Sequence, residues 1–265
     1  IFIIPKGKFI KNRFVNLSLG LNDMNLIIDI GNTRAKLAVF SNNKVVYKKR
    51  TSQKELLDSI DKILLKYKNI DKGIISSVGK LTLSNTKGLK SKINLIELNH
   101  KLKFPFNNLY KTPKTLGVDR LALVSASVKD FRESNVLIID AGTCITYDFI
   151  TQENNYLGGA ISPGLYTRYK SLNNLTANLP LLKPKSIKNI TGNSTNQSIH
   201  SGVVNGVLFE IDGVIEEYDK KYEDLTVILT GGDSKFLSKQ LKNSIFANSN
   251  FLLEGLNYIL EYNTL

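Results

Sequence analysis

The chain has 265 residues, of which 42% are hydrophobic, so it can bury a core and is not a predominantly disordered protein. Its formal net charge is +13, and its lysines are scattered along the chain without a dense basic block or interleaved aromatic residues. We therefore expect anionic small molecules as ligands and no nucleic acid. The alternative is that the charge reflects only a compositional bias toward Lys, Asn and Ile. One cysteine excludes an intramolecular disulfide framework and suits a reducing cytoplasm, and with only two histidines the chain has no zinc-site spacing. No apolar run approaches the roughly 18 residues of a membrane-spanning helix.

Residues 1–23 are basic and apolar without clean periodicity, and they lack the pattern of a signal peptide. Met24 is the only methionine, and it stands directly before the first predicted strand. We interpret Met24 as the natural start and residues 1–23 as an extension outside the fold. The alternative is an additional ordered arm.

The first predicted strand ends on Asp29, and a turn with Gly31 and Thr33 leads to Lys36 and a predicted hairpin. A strand of this kind delivers a carboxylate to a turn whose glycine lets the backbone N–H groups approach an anion closely. The alternative for one such loop is a strand-ending turn with a solvated carboxylate, because short motifs often occur by chance.

Residues 52–67 predict an amphipathic helix that follows a capping-box signature of Ser52 and Glu55. Its predicted buried positions are Leu56, Leu57, Ile60, Ile63, Leu64 and Tyr67. Residues 73–78 and 93–98 predict buried strands, and strands that alternate with helices indicate α/β layers.

A loop from Tyr110 to Gly117 leads into a predicted helix that carries Asp119 and Arg120 at its start. An acid beside an arginine could hold an anionic substrate and accept its proton. The alternative for Asp119 is a capping acid, because a carboxylate at a helix N-terminus is favoured by the helix dipole.

The design of the first strand and turn recurs at residues 135–143, with Asp140, Gly142 and Thr143 followed by a second predicted hairpin. This repeat predicts two duplicated domains, residues 24–133 and 134–265, that face each other across a cleft. Two carboxylates and two glycine turns in one cleft suit a nucleotide phosphate chain with a metal ion.

The remaining segments continue the α/β pattern. A strand ends near Pro163 and turns into a helix, and a long helix follows the polar loop 191–197 with Gly202 and Gly206 spaced for close helix packing. A strand then ends in Thr230, Gly231 and Gly232, where an adenosine could lie against the backbone, and residues 252–260 predict a final helix.

From Met24 to the C-terminus these motifs, in this order, resemble the type III pantothenate kinases of the actin-like, sugar-kinase and Hsp70 ATPase superfamily. The resemblance rests on residues 29–33, 117–120, 140–143, 158–164, Thr195 with 201–202, and 230–232. It implies an α/β fold of two duplicated ribonuclease H-like (actin-like ATPase) domains with a cleft between them. It also implies ATP-dependent phosphorylation of pantothenate to 4'-phosphopantothenate, the first step of coenzyme A biosynthesis, by a cytoplasmic homodimer.

The resemblance implies ATP with Mg²⁺ and a monovalent cation, K⁺ or NH₄⁺, as requirements. It implies that Asp119 is the proton acceptor, that Asp29 helps hold magnesium and that Asp140 holds the monovalent cation. The implied ATP and phosphate contacts are Asp29, Ile30, Gly31, Asn32, Thr33, Arg34, Ala35, Lys36 and Thr143. The implied pantothenate contacts are Tyr110, Gly117, Val118, Asp119, Arg120 and Thr195, the last of them in the site of the partner subunit.

Two alternatives stay open at this point. One is a non-enzymatic, nucleotide-sensing regulator on the same scaffold, against which the sequence shows no helix-turn-helix segment and no appended peptide-binding domain. The other is a kinase of another small hydroxylated acid or sugar, because acceptor choice depends on pocket shape.

Overall fold

The structure is a computed structural model that describes residues 23–31, 34–77 and 88–264. The predicted N-terminal extension, except for Asp23, lies outside the described residues. So do Asn32 and Thr33 of the first predicted phosphate loop.

The first half of the chain forms a five-stranded sheet in the order β3-β2-β1-β4-β5. Strand β1 pairs antiparallel with β2 and parallel with β4, and α1 packs on one face of the sheet. The bounds are β1 (Met24–Ile30), β2 (Ala35–Ser41), β3 (Lys44–Thr51), α1 (Leu56–Lys66), β4 (Ile70–Ser77) and β5 (Asn94–Glu97).

The other sheet has six strands in the order β11-β10-β7-β8-β9-β6, of which β6 comes from the segment before α2. Its bounds are β6 (Asn107–Asn108), β7 (Val136–Ala141), β8 (Cys144–Ile150), β9 (Asn155–Pro163), β10 (Thr226–Thr230) and β11 (Phe246–Ala247). Strands β9-β8-β7-β10-β11 repeat the order and directions of β3-β2-β1-β4-β5. The predicted duplication of an α/β unit is therefore confirmed.

The helix α2 (Val118–Asp130) lies between β6 and β7 in chain order and follows a short 3-10 turn (Pro113–Thr115). The others are α3 (Leu165–Leu175), α4 (Thr195–His200), α5 (Gly206–Asp219), α6 (Ser234–Leu237) and α7 (Phe251–Thr264). The long helix predicted after residue 197 is present, but a π-helical segment (Ser201–Asn205) joins α4 to α5. None of the described helices is both long and apolar enough to cross a membrane.

Strand alternation divides the core into three layers. Leu26, Ile28 and Ile30 of β1 pack against α1, whereas Ile27 points to a central layer that α2 and α7 share with both sheets. The third layer lies between the other face of the second sheet and α3 and α5. Helix α7 packs on α2 and also contacts β1 and β4, so the end of the chain returns to the first sheet.

The strand expected to end near Pro163 is β9, whose last residue is Pro163, and α3 begins two residues later at Leu165. Two details differ from the sequence-based expectations. Leu57 is 41% exposed, because the buried face of α1 follows Leu56, Ile60 and Ile63 and leaves Leu57 to one side. A Cβ atom added at Gly202 would meet open space, so the expected close helix packing there is not made within the described part of the chain.

Candidate active site

Asp29 and Asp140 occupy equivalent places, since each is the last residue but one of its strand, and β1 and β7 are equivalent in the repeated strand order. Asp29 is 7% exposed, and the Nζ atom of Lys36 lies 3.1 Å from its Oδ2 atom. Burial raises the pKa of Asp29, while the charge and hydrogen bond of Lys36 oppose that rise. The two residues are register partners on β1 and β2, so the pair is fixed by the strand pairing itself.

Burial also raises the pKa of Asp140, to about 6, while Lys36 lowers it and Asp119, Asp29 and Asp148 raise it further. These interactions place carboxylates from β1, α2, β7 and β8 in one electrostatic neighbourhood. Mutual repulsion of carboxylates is tolerated where a cation neutralises them. Asp29, Asp119 and Asp140 are thus close enough for the charge of one to raise the pKa of another, which agrees with the expectation from the repeated motif.

The turn after β1 is closed by a hydrogen bond from the Gly31 N–H to the Arg34 carbonyl, at 3.1 Å. The side chains of Ile30 and Ala35 are fully buried, so these two residues present only backbone groups, whereas Arg34 is exposed.

The turn after β7 is fixed by hydrogen bonds from the N-terminal end of α3. The Gly142 N–H donates to the Cys144 carbonyl at 2.9 Å. The Thr143 carbonyl accepts from the Gly164 N–H at 3.0 Å and from the Thr167 hydroxyl at 2.6 Å. The start of α3 therefore fixes this loop, and the side chain of Thr143 is left exposed.

A third turn, after β10, packs against the second carboxylate. Gly231 has φ +93°, and a Cβ atom added there would lie 2.4 Å from the Oδ1 atom of Asp140 and 2.2 Å from the Ala141 carbonyl oxygen. The Asp233 N–H donates to that same carbonyl at 3.0 Å. Beyond the turn lies a cavity of about 490 Å³, lined by Ser186, Gly232, Lys235, Phe236, Lys239 and Gln240.

The start of α2 supplies a carboxylate to the same neighbourhood. Gly117 is the N-cap, Val118 is the first helical residue and Asp119 follows in the first turn. The Oδ1 atom of Asp119 accepts from the Arg120 N–H at 2.9 Å. The charge of Asp119 raises the pKa of both Asp29 and Asp140, although burial is the larger cause at each of them.

Sequence reasoning missed the partner of Arg120. The guanidinium Nε atom donates to the Oδ1 atom of Asp148 at 2.8 Å, and the Tyr156 hydroxyl donates to the same oxygen at 2.6 Å. Burial raises the pKa of Asp148, and the hydrogen bond and charge of Arg120 oppose that rise. The signal for this site was an aspartate within the otherwise apolar stretch that ends β8, because an acid in such a place requires a buried partner.

Tyr110 lies beside this ion pair. Its ring centroid is 5.6 Å from the Arg120 Cζ atom, and the ring stacks on Tyr156 with centroids 6.3 Å apart. Tyr110 and Arg120 thus come together in the structure, and Asp119 and Val118 directly precede Arg120 in the first turn of α2.

Thr195 is separate from that group. It is exposed at the start of α4, whose Ile199 packs in the layer outside the second sheet, whereas Tyr110 and Val118 pack on the central layer. Within the described part of a single chain, the second sheet stands between Thr195 and the other predicted pantothenate contacts.

Among residues 23–31, 34–77 and 88–264, no group of three or more His, Cys, Asp and Glu side chains is arranged to hold a metal ion. This does not conflict with a magnesium ion that travels with a nucleotide, because Mg²⁺ usually takes one or two protein carboxylates and completes its shell with phosphates and water. The buried carboxylate of Asp29 is a hard oxygen donor of that kind.

A family model described as type III pantothenate kinase matches residues 25–217. A type III pantothenate kinase of Christiangramia forsetii is 54% identical over 240 residues, which cover 91% of this chain and 99% of that protein. One from Flavobacterium johnsoniae is 49% identical, over 90% of this chain and 98% of that protein.

Two solved structures show the same fold at low identity. A Campylobacter jejuni protein, solved under the description of a Baf family transcriptional activator, is 22% identical with a TM-score of 0.58, over 90% of this chain and 98% of that one. A ROK family glucokinase of Streptomyces griseus, in complex with glucose and AMPPNP, is 10% identical with a TM-score of 0.51, over 91% and 99%.

Proposed function

The chain belongs to the type III pantothenate kinase family, and from this premise we propose which of its residues carry out each part of the reaction. It is a kinase that transfers a phosphoryl group from ATP to pantothenate, which forms 4'-phosphopantothenate in the first step of coenzyme A biosynthesis. The observation that carries the proposal is that Asp29 and Asp140, near the ends of β1 and β7, interact electrostatically with Asp119 at the start of α2 and with Lys36.

The triphosphate lies between the hydrogen-bonded Gly31 and Arg34, after β1, and the turn at Gly142 and Thr143. Phosphoryl transfer requires positioning and neutralisation of charge on the transferred group rather than covalent help from the protein. Lys36 contributes a positive charge, and Thr143 and the turn N–H groups contribute hydrogen bonds. The 490 Å³ cavity beside Gly232, with the half-buried ring of Phe236 and two lysines, takes the adenosine.

Asp119 accepts the proton of the primary hydroxyl of pantothenate. Its place in the first turn of α2, in the electrostatic range of Asp29 and Asp140, supports this role. Because the carboxylate already accepts the Arg120 N–H through Oδ1, it can present Oδ2 to the acceptor hydroxyl. General-base assistance of this kind contributes about 10²–10⁴-fold to rate.

Kinases of this family use ATP with a divalent metal ion, which when bound neutralises the phosphates. We assign Asp29 as the carboxylate that helps hold it. We assign Asp140 to a monovalent cation, K⁺ or NH₄⁺. The raised pKa of Asp140 supports this assignment, because an unneutralised carboxylate is unfavourable in its surroundings.

We further propose a homodimer in which Thr195 enters the acceptor site of the partner subunit. Within one chain Thr195 is on the far side of the second sheet from Tyr110 and Val118. The same side of the molecule has exposed apolar residues, including Ile190 at 64% and Phe209 at 54% exposure. A second copy would cover such residues, and Gly206 would permit its close approach.

The compartment proposed for the enzyme is the cytoplasm. Cys144 is a free and exposed thiol directly after the second phosphate loop. An exposed thiol stays reduced in a reducing compartment, and this supports the cytoplasm.

The test of the function is ADP release with pantothenate as the acceptor, in potassium and in sodium, for the parent and for Asp119→Asn. Turnover that depends on pantothenate, needs potassium and collapses in Asp119→Asn is the expected result. ADP release that is indifferent to pantothenate would exclude this acceptor, and equal rates in sodium would remove the cation role from Asp140.

A further inference from the structure

The guanidinium of Arg120 is held along one edge by buried groups. Its Nε and Nη2 atoms lie 2.8 and 2.7 Å from the single oxygen Oδ1 of Asp148, and the Tyr156 hydroxyl donates to that oxygen at 2.6 Å. Arg120 is 4% exposed, and Asp148 and Tyr156 are both 0% exposed. Three buried polar groups therefore meet at one carboxylate oxygen.

That arrangement leaves donor capacity unused. The Nη2 atom of Arg120 is buried, and its contact with Asp148 is close but lacks hydrogen-bond geometry, so Nη2 has no hydrogen-bond partner among the described residues. A guanidinium has five N–H donors in a rigid plane. It can bind two carboxylates, one along the Nε/Nη2 edge and one along the Nη1/Nη2 edge. Asp148 occupies the first edge, and Nη2 keeps an N–H on the second edge that has no hydrogen-bond partner among the described residues.

Tyr110 restricts the plane of that guanidinium. Its ring lies over the Arg120 Cζ atom and stacks on Tyr156. Gly158 has φ +103°, and a Cβ atom there would lie 3.0 Å from the Tyr110 Cδ2 atom. The glycine thus makes room for the tyrosine, which together with Asp148 prevents Arg120 from rotating freely.

We propose that Asp148 and Tyr156 are positioning residues of the acceptor site, which hold Arg120 by one edge so that its other edge binds the carboxylate of pantothenate. This inference rests on the proposed function, because it requires Arg120 to contact the acceptor. It adds two residues from β8 and β9 to a site that is otherwise assigned, within one chain, to the loop before α2 and its first turn.

The experiment compares two acceptors that share the pantoyl hydroxyl and differ at the far end. Pantothenate has a carboxylate there, and pantothenyl alcohol has none. The variants are Asp148→Asn, Tyr156→Phe and, as the control, Tyr147→Phe. Tyr147 is a tyrosine of similar burial on β8 whose hydroxyl donates to a different carboxylate, that of Glu210, at 2.7 Å.

We expect Asp148→Asn to raise the KM for pantothenate at least about fivefold, because a charge-assisted contact is weakened, with kcat within about twofold. Tyr156→Phe should raise the same KM about two- to fivefold, since it removes one hydrogen bond and keeps the stacked ring. Neither variant should change the KM for pantothenyl alcohol by more than about twofold, and Tyr147→Phe should change neither KM.

Equal losses with both acceptors would show that the buried pair only supports the fold, and would overturn the proposal. If Asp148→Asn does not fold, as judged by circular dichroism and melting, Tyr156→Phe decides alone. A pantothenate KM that is unchanged in Arg120→Gln would remove Arg120 from the acceptor site and this inference with it, while the kinase activity would stand. A parent protein inactive with pantothenate would instead refute the proposed function.

Discussion

Asp29 and Lys36 face each other across β1 and β2, with Oδ2 and Nζ 3.1 Å apart, whereas the register partner of Asp140 in the second sheet is Thr146. The duplicated backbone therefore presents two carboxylates with different partners. The first has a lysine ammonium directly opposite. The second has a neutral hydroxyl opposite, and burial raises its pKa to about 6. This difference agrees with our proposal that Asp29 and Asp140 hold two different cations.

Lys36→Met should weaken ATP binding, because it removes a positive charge from the proposed phosphate site. We expect the KM for ATP to rise at least about tenfold, which corresponds to the loss of one charge-assisted contact. Since Lys36 lowers the pKa of both Asp29 and Asp140, both values should rise further in the variant. Steady-state kinetics check the first expectation. Lys62→Met is the control, because Lys62 pairs with Asp58 on the exposed face of α1; a similar loss there would contradict a specific role for Lys36.

Asp140 should make stability depend on pH. Its pKa is about 6 in the fold against an ordinary value of 3.8, so the fold favours the protonated form. Its contribution is thus fully present below pH 3.8 and is lost as pH rises through 6, a change of at most about 3 kcal/mol. Chemical denaturation at pH 5 and pH 7.5, without nucleotide or potassium, should show a smaller pH difference in the free energy of unfolding for Asp140→Asn than for the parent. Equal differences in the two proteins would count against the raised pKa.

Gly231→Ala should be strongly destabilising, and Gly232→Ala should not. Gly231 has φ +93° and lies against Asp140 and Ala141, so an added methyl group would be strained by the backbone and would collide with the second carboxylate. A Cβ atom at Gly232 meets nothing within 4 Å. We expect a loss of about 2–4 kcal/mol for the first variant and less than about 1 kcal/mol for the second, measured by denaturant unfolding. Similar losses at both positions would show that the turn as a whole, rather than its contact with Asp140, is sensitive.

Asp119→Asn should lose at least about 10²-fold in turnover and keep its affinity for ATP. Asparagine fills the same space and still accepts the Arg120 N–H, but it cannot take a proton at neutral pH. Turnover is measured by ADP release, and ATP affinity by equilibrium binding. Asp58→Asn, on the exposed face of α1, serves as the control. Near-normal turnover of Asp119→Asn would show that Asp119 is not the proton acceptor and acts only as a helix-capping acid.

The sequence was sufficient to predict those features that depend on short segments. The strands that deliver Asp29 and Asp140, the duplication and the helix start at Asp119 all follow from local apolar runs and turn residues, and the structure agrees with them. The partner of Arg120 could not be predicted in the same way. Asp148 is 28 residues away from Arg120, on β8, and only the antiparallel pairing of β8 and β9 brings it together with Tyr156.

The helix after residue 197 illustrates a second limit of local patterns. Its apolar stripe predicts one continuous helix, and Ile199, Val203, Val207 and Ile211 are indeed buried. The pattern does not report the π-helical segment Ser201–Asn205, in which the Asn205 amide donates to the Ser201 hydroxyl and that hydroxyl donates to the Ile190 carbonyl. These hydrogen bonds join the helix to the segment before it. The spacing of apolar residues along a helix does not predict such polar contacts.

A mixing experiment should establish whether Thr195 acts in the site of the partner subunit. Asp119→Asn and Thr195→Arg are each expected to be nearly inactive alone, the first without its base and the second with a blocked acceptor site. If Thr195 acts across the dimer, a mixed dimer has one site with an intact Asp119 and an intact Thr195. Co-expressed variants should then recover about a quarter of parental turnover, because about half of randomly formed dimers are mixed and each has one working site. As the control, the two variants are purified separately and assayed together under conditions without subunit exchange. Activity should not recover in that control. If Thr195 acts within its own chain, every site carries one of the two substitutions and no mixture recovers activity.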